Sequence, residues 1–313
     1  MSASASSSSL TDRLRSVDVV ARRVALTELT DSFEAVPLDV LLGLLADPDA
    51  VVRRLAVQAL EEVGDASAIP ALLELIAGEQ RDVADSAASA LREFRTPDAV
   101  APLIVGVGHS NIAVRTAALH ALREFRSTEA LPALLVAVLD DSAIVRREAL
   151  IALAHLQAPA TLPALRLALF DSEVDVRKIA VGAVAFFQAE TTIGDMLAAL
   201  ADDDWQVRRE AAIALGRYPS AQTQTGLIAA LSDSRWQVVR EALLSLGKLR
   251  VPAVASYLRF TAHELADVRM AAATALGATG DSAVREPLEA LLNDPDTGVQ
   301  KTARRALESL SQP

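Results

Sequence analysis

One pattern recurs along the chain at a spacing of 31 residues. It is most complete over residues 202–216, which read DDDWQVRREAAIALG, and over residues 233–247, which read DSRWQVVREALLSLG. Taking the first residue of the Val-Arg pair as the anchor, the anchors are Ala21, Val52, Val83, Val114, Val145, Val176, Val207, Val238, Val268 and Val299. Every step is 31 residues except one of 30, between Val238 and Val268. Such a period is the signature of stacked repeats, each of which packs only on its neighbours.

Each copy has two helical segments, a short apolar one followed by the segment that carries Val-Arg. In the second segment apolar residues fall at offsets 0, 4, 7, 8 and usually 11 from the anchor, which in one copy are Val52, Ala56, Ala59, Leu60 and Val63. These offsets lie within about 100° of arc and predict one buried helix face. Alanine at offset 4 in all ten copies predicts a close approach of neighbouring helices. The sequence therefore predicts an all-α, right-handed solenoid of about ten helical-hairpin repeats.

The composition limits the classes of protein to which the chain can belong. The residues are 51% apolar and only 4% aromatic, which predicts a core of Ala, Leu, Val and Ile. A net charge of -11 argues against nucleic-acid binding, and the absence of cysteine excludes disulfides and thiolate ligands. No apolar stretch approaches the roughly 20 residues that a membrane span needs. We expect residues 1–9 to be a disordered Ser/Ala-rich tail, residues 10–313 to be a single solenoid, and the protein to be cytoplasmic.

An aspartate recurs five residues before the anchor. Its copies are Asp47, Asp140, Asp171, Asp202, Asp233 and Asp294. We expect these carboxylates to cap the helix that follows. An arginine usually comes six residues later, and both residues are missing in the copy that carries Gly78 and Ala84, so we expect a structural Asp–Arg ladder. His109 and His263 occupy the aspartate position of their copies and are expected to cap in the same way.

The pattern Asp-x-x-x-x-Val-Arg-x-x-Ala-x-x-Ala-Leu-Gly, as at residues 202–216, resembles the HEAT repeat, in particular the bacterial HEAT-like repeat of phycobilisome lyases. The resemblance covers residues 17–310 and implies an α-solenoid whose Val-Arg helices line the concave side. The family includes bilin lyases, assembly scaffolds, deoxyhypusine hydroxylases and DNA alkylpurine glycosylases. The hydroxylases need several His-Glu dipeptides, and the chain has one, at His263. The glycosylases need a basic, aromatic groove, which the composition does not favour.

No catalytic, metal-binding or cofactor-binding constellation stands out. The four histidines lack metal-ligand spacing, and no phosphate-binding loop or nucleophile elbow occurs. We therefore predict no cofactor and no metal. The sequence leaves open whether the chain is an enzyme; if it is, the resemblance implies a bilin lyase-like activity.

Two strips of side chains are predicted to face the groove of the solenoid. Offset 2 is basic in four consecutive copies, at Arg147, Lys178, Arg209 and Arg240. The alternative is that these side chains pair with Glu148, Glu210, Glu241 and loop carboxylates. Offset 6 is apolar at Ile151, Ile213 and Leu244, with Gly182 leaving a gap. An exposed apolar strip indicates recognition, unless curvature buries it against the next helix.

Trp205 and Trp236 are the only tryptophans and lie at equivalent positions two residues before the anchor. Other copies carry residues such as Ala50, Ala143 or Ala266 there, so the fold does not require tryptophan. Tryptophan is enriched at interface hot spots, so the pair is predicted to bind a partner. The alternative is that each indole covers the adjacent helix ends.

The function that these features favour is a protein-binding scaffold or assembly factor, whose concave face grips an acidic or apolar segment of a partner protein. The alternative is a bilin lyase-type or chromophore-handling protein acting on phycobiliproteins. In that case the arginine strip would pair with the propionates of a tetrapyrrole.

Overall fold

A computed structural model of the chain describes residues 9–29, 35–78, 80–187 and 190–310. The predicted tail of residues 1–9 lies outside this part except for Ser9, whose side chain accepts a hydrogen bond from the N–H of Asp12 and caps the first helix. The α-helices are α1 (Leu10–Leu14), α2 (Val19–Leu29), α3 (Leu38–Leu44), α4 (Ala50–Val63), α5 (Ile69–Ala77), α6 (Arg81–Ala90), α7 (Val100–Val107), α8 (Ile112–Phe125), α9 (Leu131–Ala137), α10 (Ala143–Leu156), α11 (Leu162–Leu167), α12 (Val174–Ala185), α13 (Glu190–Ala199), α14 (Trp205–Leu215), α15 (Ala221–Ala230), α16 (Trp236–Lys248), α17 (Val254–Leu258), α18 (Ala266–Ala278), α19 (Arg285–Ala290) and α20 (Thr297–Leu310). No helix within the described ranges is both long and apolar enough to cross a bilayer.

The helices belong to two compact units that divide between Thr161 and Leu162. Unit 1 holds α1–α10 and unit 2 holds α11–α20. The even-numbered helices carry the repeated Val-Arg position, and we call them the Val-Arg helices. Within each unit most Val-Arg helices pack against the next one and against the shorter helix that precedes them. The predicted all-α solenoid of helical hairpins is confirmed, whereas a single domain over residues 10–313 stays a prediction.

The core lies along the face that the repeat pattern predicts. The alanine at offset 4 has no exposed surface in any of the ten copies, which confirms that this position is tightly packed. In α4, Val52, Ala56 and Leu60 are likewise fully buried. Val63, at offset 11, is 52% exposed, so its predicted place in the core is wrong. The helix ends at Val63, and Gly64 follows with a φ of 67°, so the side chain lies beyond the packed turns.

Neighbouring repeats are joined by ion pairs. The guanidinium of Arg208 binds both carboxylate oxygens of Asp233 in the next repeat, with Nε–Oδ2 and Nη2–Oδ1 distances of 2.6 and 3.0 Å. Its Nη1 also donates to the carbonyl oxygen of Asp202 in its own repeat, at 2.8 Å. We call this set an Arg–Asp rung. Equivalent carboxylate pairs join Arg177 to Asp202 and Arg269 to Asp294 in unit 2, and Arg22 to Asp47 and Arg115 to Asp140 in unit 1.

The predicted ladder therefore exists, but the expected capping role of the recurring aspartate is wrong. The carboxylate of Asp202 accepts the N–H of Asp204, two residues on, at 2.8 Å, and so stabilises the turn before α14. The cap itself is Asp204, whose side chain accepts from Gln206 at 2.7 Å. Each aspartate thus orders its own turn, and five of them also receive an arginine from the preceding repeat of the same unit: Asp47, Asp140, Asp202, Asp233 and Asp294.

The missing rungs follow the same register between repeats. His109 and His263 replace the carboxylate, and their Nδ1 atoms accept the N–H two residues on at 3.0 and 3.1 Å. The preceding repeats carry Ala84 and Val239 where an arginine would be. A ring whose Nδ1 accepts this hydrogen bond keeps the turn but offers no carboxylate to a guanidinium of the preceding repeat, so both members of the pair differ at these two places. The position of Gly78 is different, because the preceding repeat keeps Arg53, whose guanidinium donates to the side-chain oxygen of Gln80.

Candidate functional site

The two tryptophans begin equivalent helices of unit 2. Trp205 is the first residue of α14 and Trp236 the first residue of α16, and both side chains are half-buried. Each indole faces the arginine one helical turn later. The guanidinium carbon of Arg209 lies 6.0 Å from the ring centre of Trp205, and that of Arg240 lies 5.8 Å from Trp236. Both distances are in the range of cation–π attraction, which holds the rings in place at the helix N-termini.

The arginines beneath this contact are also paired with carboxylates. Arg209 binds Glu210 at 2.5 Å, and the Nε of Arg240 donates to Glu241 at 3.0 Å. A second carboxylate, that of Asp267, has its Oδ2 3.8 Å from the Nη1 of Arg240. The structure thus repeats one arrangement twice, an indole, an arginine and a glutamate, on neighbouring Val-Arg helices.

The other two members of the predicted basic strip are paired as well. In unit 2, Lys178 binds Asp175 at 2.9 Å. In unit 1, Arg147 donates from Nε and Nη2 to the same oxygen of Glu148, at 3.0 and 2.8 Å. Glu148 is nearly buried, and its second oxygen is 2.7 Å from the Nε2 of His120. The predicted partners Glu148, Glu210 and Glu241 are all engaged, so the charge of the strip is largely compensated within the protein.

The predicted apolar strip reaches the surface in part. Ile213 on α14 is 36% exposed, and Leu244 on α16 is half-buried. Ile151, on α10 of unit 1, is also half-buried. A methyl group placed on Gly182 of α12 would meet no atom within 4 Å, so that position is open. Ile213 and Leu244 share the surface of α14 and α16 with the two tryptophans.

Sequence reasoning found the aromatic and basic members of this surface and named the glutamates only as an alternative. The signal for the glutamates was present, because Arg-Glu follows Trp at the same spacing in both copies. Among the residues that the structure describes, no cluster of three metal-ligating side chains is found. No pattern in the sequence indicated the groove between α6 and α8 in unit 1.

Comparison with known proteins identifies the repeat. The model of HEAT repeats matches residues 7–92, 77–154, 193–264 and 259–313, which together cover most of the chain. The model of the PBS lyase HEAT-like repeat matches residues 145–171. No curated protein matches this sequence significantly.

Solved structures share the fold at low sequence identity. An engineered protein is 21% identical with a TM-score of 0.51, and the match covers 97% of this chain and 98% of that one. Kap95p, in a structure titled for its effect on the switch loops of RanGDP, is 14% identical with a TM-score of 0.63, over 96% of this chain and 48% of that one. Importin beta is 15% identical with a TM-score of 0.62, over 97% and 52%. The chain spans about half the length of these last two proteins. It belongs to the HEAT-repeat family.

Proposed function

We propose that the chain is a protein-binding scaffold that holds a segment of a partner protein on the exposed surface of its Val-Arg helices, the concave side of a HEAT solenoid. The observation that carries the proposal is the repeated arrangement at Trp205 and Trp236. Both indoles are half-buried, so part of each ring reaches the surface, and each is held by an arginine, although copies with Ala50 or Ala143 fold without an aromatic residue there. Fixed, partly exposed tryptophans are the side chains that most often dominate interface energies.

The surrounding charges favour an apolar segment of the partner over an acidic one. An acidic side chain that approached Arg209 or Arg240 would have to displace Glu210 or Glu241, which already satisfy the guanidinium groups. A basic side chain of the partner above the indoles would be repelled by Arg209 and Arg240, which already contact the rings. Apolar side chains meet neither cost, and Ile213, about two turns after Trp205 on α14, provides a further exposed apolar side chain. The fold is compatible with this role, since Kap95p is solved in a structure that concerns RanGDP.

A photo-crosslinking residue in place of Ile213 would capture the partner, which can then be purified and titrated against the chain. We expect the tryptophan emission to move to the blue on binding, because the partner would shield the two indoles from water. The signal reports on these two residues alone, since the sequence has no third tryptophan. Trp205→Ala with Trp236→Ala should weaken binding by about 2–4 kcal/mol, the range of hot-spot residues. Phe170→Ala is the matched control, since this side chain is 80% exposed and belongs to neither α14 nor α16.

Two results would contradict the proposal. One is an affinity that survives the loss of both tryptophans. The other is an emission already typical of buried indole and unresponsive to the captured protein, which would make both rings ordinary packing residues.

A tetrapyrrole is the second ligand considered. The match of the PBS lyase HEAT-like repeat to residues 145–171 includes Arg147, which is one of the predicted contacts for a propionate. Arg147 is held by Glu148, so a propionate would compete with a nearly buried carboxylate. Adding a bilin and recording its absorbance tests this role, because binding would shift the visible band.

A further inference from the structure

A groove of about 820 Å³ runs between α6 and α8 in unit 1. The other neighbouring Val-Arg helices within each unit pack directly on each other, but α6 and α8 make almost no direct contact. The walls are mainly apolar and include Ile76, Ala84, Ala88, Ile112, Ala117 and Ile144. Asp85 also lines the groove, and its carboxylate lies 3.8 Å from Arg81.

A missing rung helps to leave this groove open. Ala84 stands at the position of the rung arginine, and its methyl group does not reach the next repeat. His109, at the position of the rung carboxylate, has its Nε2 3.8 Å from Glu74 instead. The α6 helix has 10 residues and α8 has 14, so α6 is about one turn shorter than α8.

The groove has exposed isoleucines at one end and the guanidinium of Arg92 at the other. Ile112 and Ile144, near the N-termini of α8 and α10, are 47% and 51% exposed. Arg92 and His120 lie towards the other end, and residues 112 and 120 are about 12 Å apart along the helix axis. Arg92 donates to the hydroxyl of Ser89, and within the described ranges no carboxylate lies at ion-pair distance from it. The glutamates of this end, Glu93, Glu124 and Glu148, are paired with Arg95, Arg123 and Arg147.

We propose that this groove binds an amphipathic α-helix of a protein partner, with a row of apolar side chains along the groove and an acidic side chain against Arg92. Apolar residues at i, i+4 and i+8 of a helix span the same distance of about 12 Å. The unpaired guanidinium supplies the charge complementarity that sets the direction of the helix. A small molecule fits less well, because walls with half-exposed isoleucines cannot enclose one as small-molecule sites do. The inference rests on the proposed protein-binding function but uses a different surface from that of Trp205.

The test is a selection of phage-displayed 18-residue helices against the full chain, followed by anisotropy measurements with the labelled peptides. We expect enriched peptides to carry apolar residues at helical spacing and an acidic residue near one end. Ala84→Arg with His109→Asp installs the pair that the other repeats carry and should fill part of the groove, because Ala84 lines it and the arginine side chain is much larger. That variant should keep its melting temperature and bind the peptides at least tenfold more weakly. Arg92→Ala should weaken binding about threefold to tenfold.

A second variant and a control keep the test independent of folding. Ile112→Asp should abolish binding by placing a charge in the apolar end. Val105→Asp should not, because this valine of α7 is 75% exposed, against 47% for Ile112, and does not line the groove. Peptides that bind the Ala84→Arg, His109→Asp variant as tightly as the natural chain would overturn the inference, and so would enriched peptides without a helical period. Loss of binding only in the variant lacking Trp205 and Trp236 would also overturn it, while leaving the proposed function in place.

Discussion

The helix pairs α6–α8 and α16–α18 lack the same contact but pack differently. In both, the rung arginine is replaced, by Ala84 or Val239, and the rung carboxylate is replaced by His109 or His263. The first pair is separated by a groove, and the second is among the most closely packed pairs of the molecule. The absence of a rung therefore does not by itself open a gap between repeats.

The two pairs differ in the size of the residues that face the next helix. Val239 is 5% exposed and fills the place of the arginine, which Ala84 cannot do. At offset 9, α16 has Gly247, on which a Cβ would lie 3.0 Å from the Cα of Ala275, and the repeat of α6 has Arg92. Gly277 of α18 allows α20 to pack equally closely, because a Cβ on Gly277 would lie 2.5 Å from the Cβ of Ala306. Small residues at offset 9 allow close packing, and the rung adds to it.

The largest effect is expected where a rung is present. Arg208→Ala should lower the free energy of unfolding by about 3–5 kcal/mol, because it leaves the carboxylate of Asp233 mostly buried without its counter-charge. The two side chains are only 15% and 10% exposed. Arg81→Ala is the control, since Arg81 is 94% exposed and 3.8 Å from Asp85. Urea denaturation measures both. Equal stabilities of the two variants would show that rungs contribute no more than surface ion pairs.

The repeat itself could be predicted from the sequence because one face of every Val-Arg helix obeys the same spatial constraint. The buried alanines at offset 4 and the anchors carry that signal in every copy. The rung was placed in the wrong register, because sequence spacing relates Asp202 to Arg208 and the structure relates Asp233 to Arg208. Comparing each position with the preceding repeat would have found it. The groove could not be predicted, since it depends on how far apart two helices lie.

The same substitution should cost much more stability in a closely packed region than in the groove. Ala211→Leu places a larger side chain at a position with no exposed surface, and should cost about 1–3 kcal/mol by overpacking. Ala88→Leu projects into the groove and should change stability by less than about 0.5 kcal/mol. Thermal unfolding of both variants checks the difference. A large loss in Ala88→Leu would mean that the groove is closed in solution.

Glycine positions give a finer test of close packing. Gly277→Ala should destabilise the chain by about 1–2 kcal/mol, because overpacking against Ala306 exceeds the gain in helix propensity. Gly182→Ala in α12 should stabilise it by about 0.5–1 kcal/mol, since nothing lies within 4 Å of the added methyl group. The two changes are chemically identical, so chemical denaturation curves should shift in opposite directions. Shifts in the same direction would show that helix propensity, not the distance between helices, decides the outcome.

Acid should weaken the repeats that contain rungs. Burial raises the pKa of Asp233, but the hydrogen bonds from Arg208 and from the N–H of Arg235 outweigh it and hold the pKa below the ordinary value. Since the folded pKa is the lower one, this carboxylate contributes stability above the unfolded pKa of about 4, and the contribution is lost as the pH falls through the folded value. The α6–α8 pair, with His109 in place of the carboxylate, has no such contribution.

Asp233→Asn should therefore be less stable than the natural chain at pH 7 and lose less stability on acidification, whereas Asp85→Asn on α6 should follow the natural chain. The measurement is the free energy of urea unfolding at pH 7, 4 and 3. Parallel curves for the natural chain and Asp233→Asn would mean that the rung carboxylates do not set the acid sensitivity of the fold.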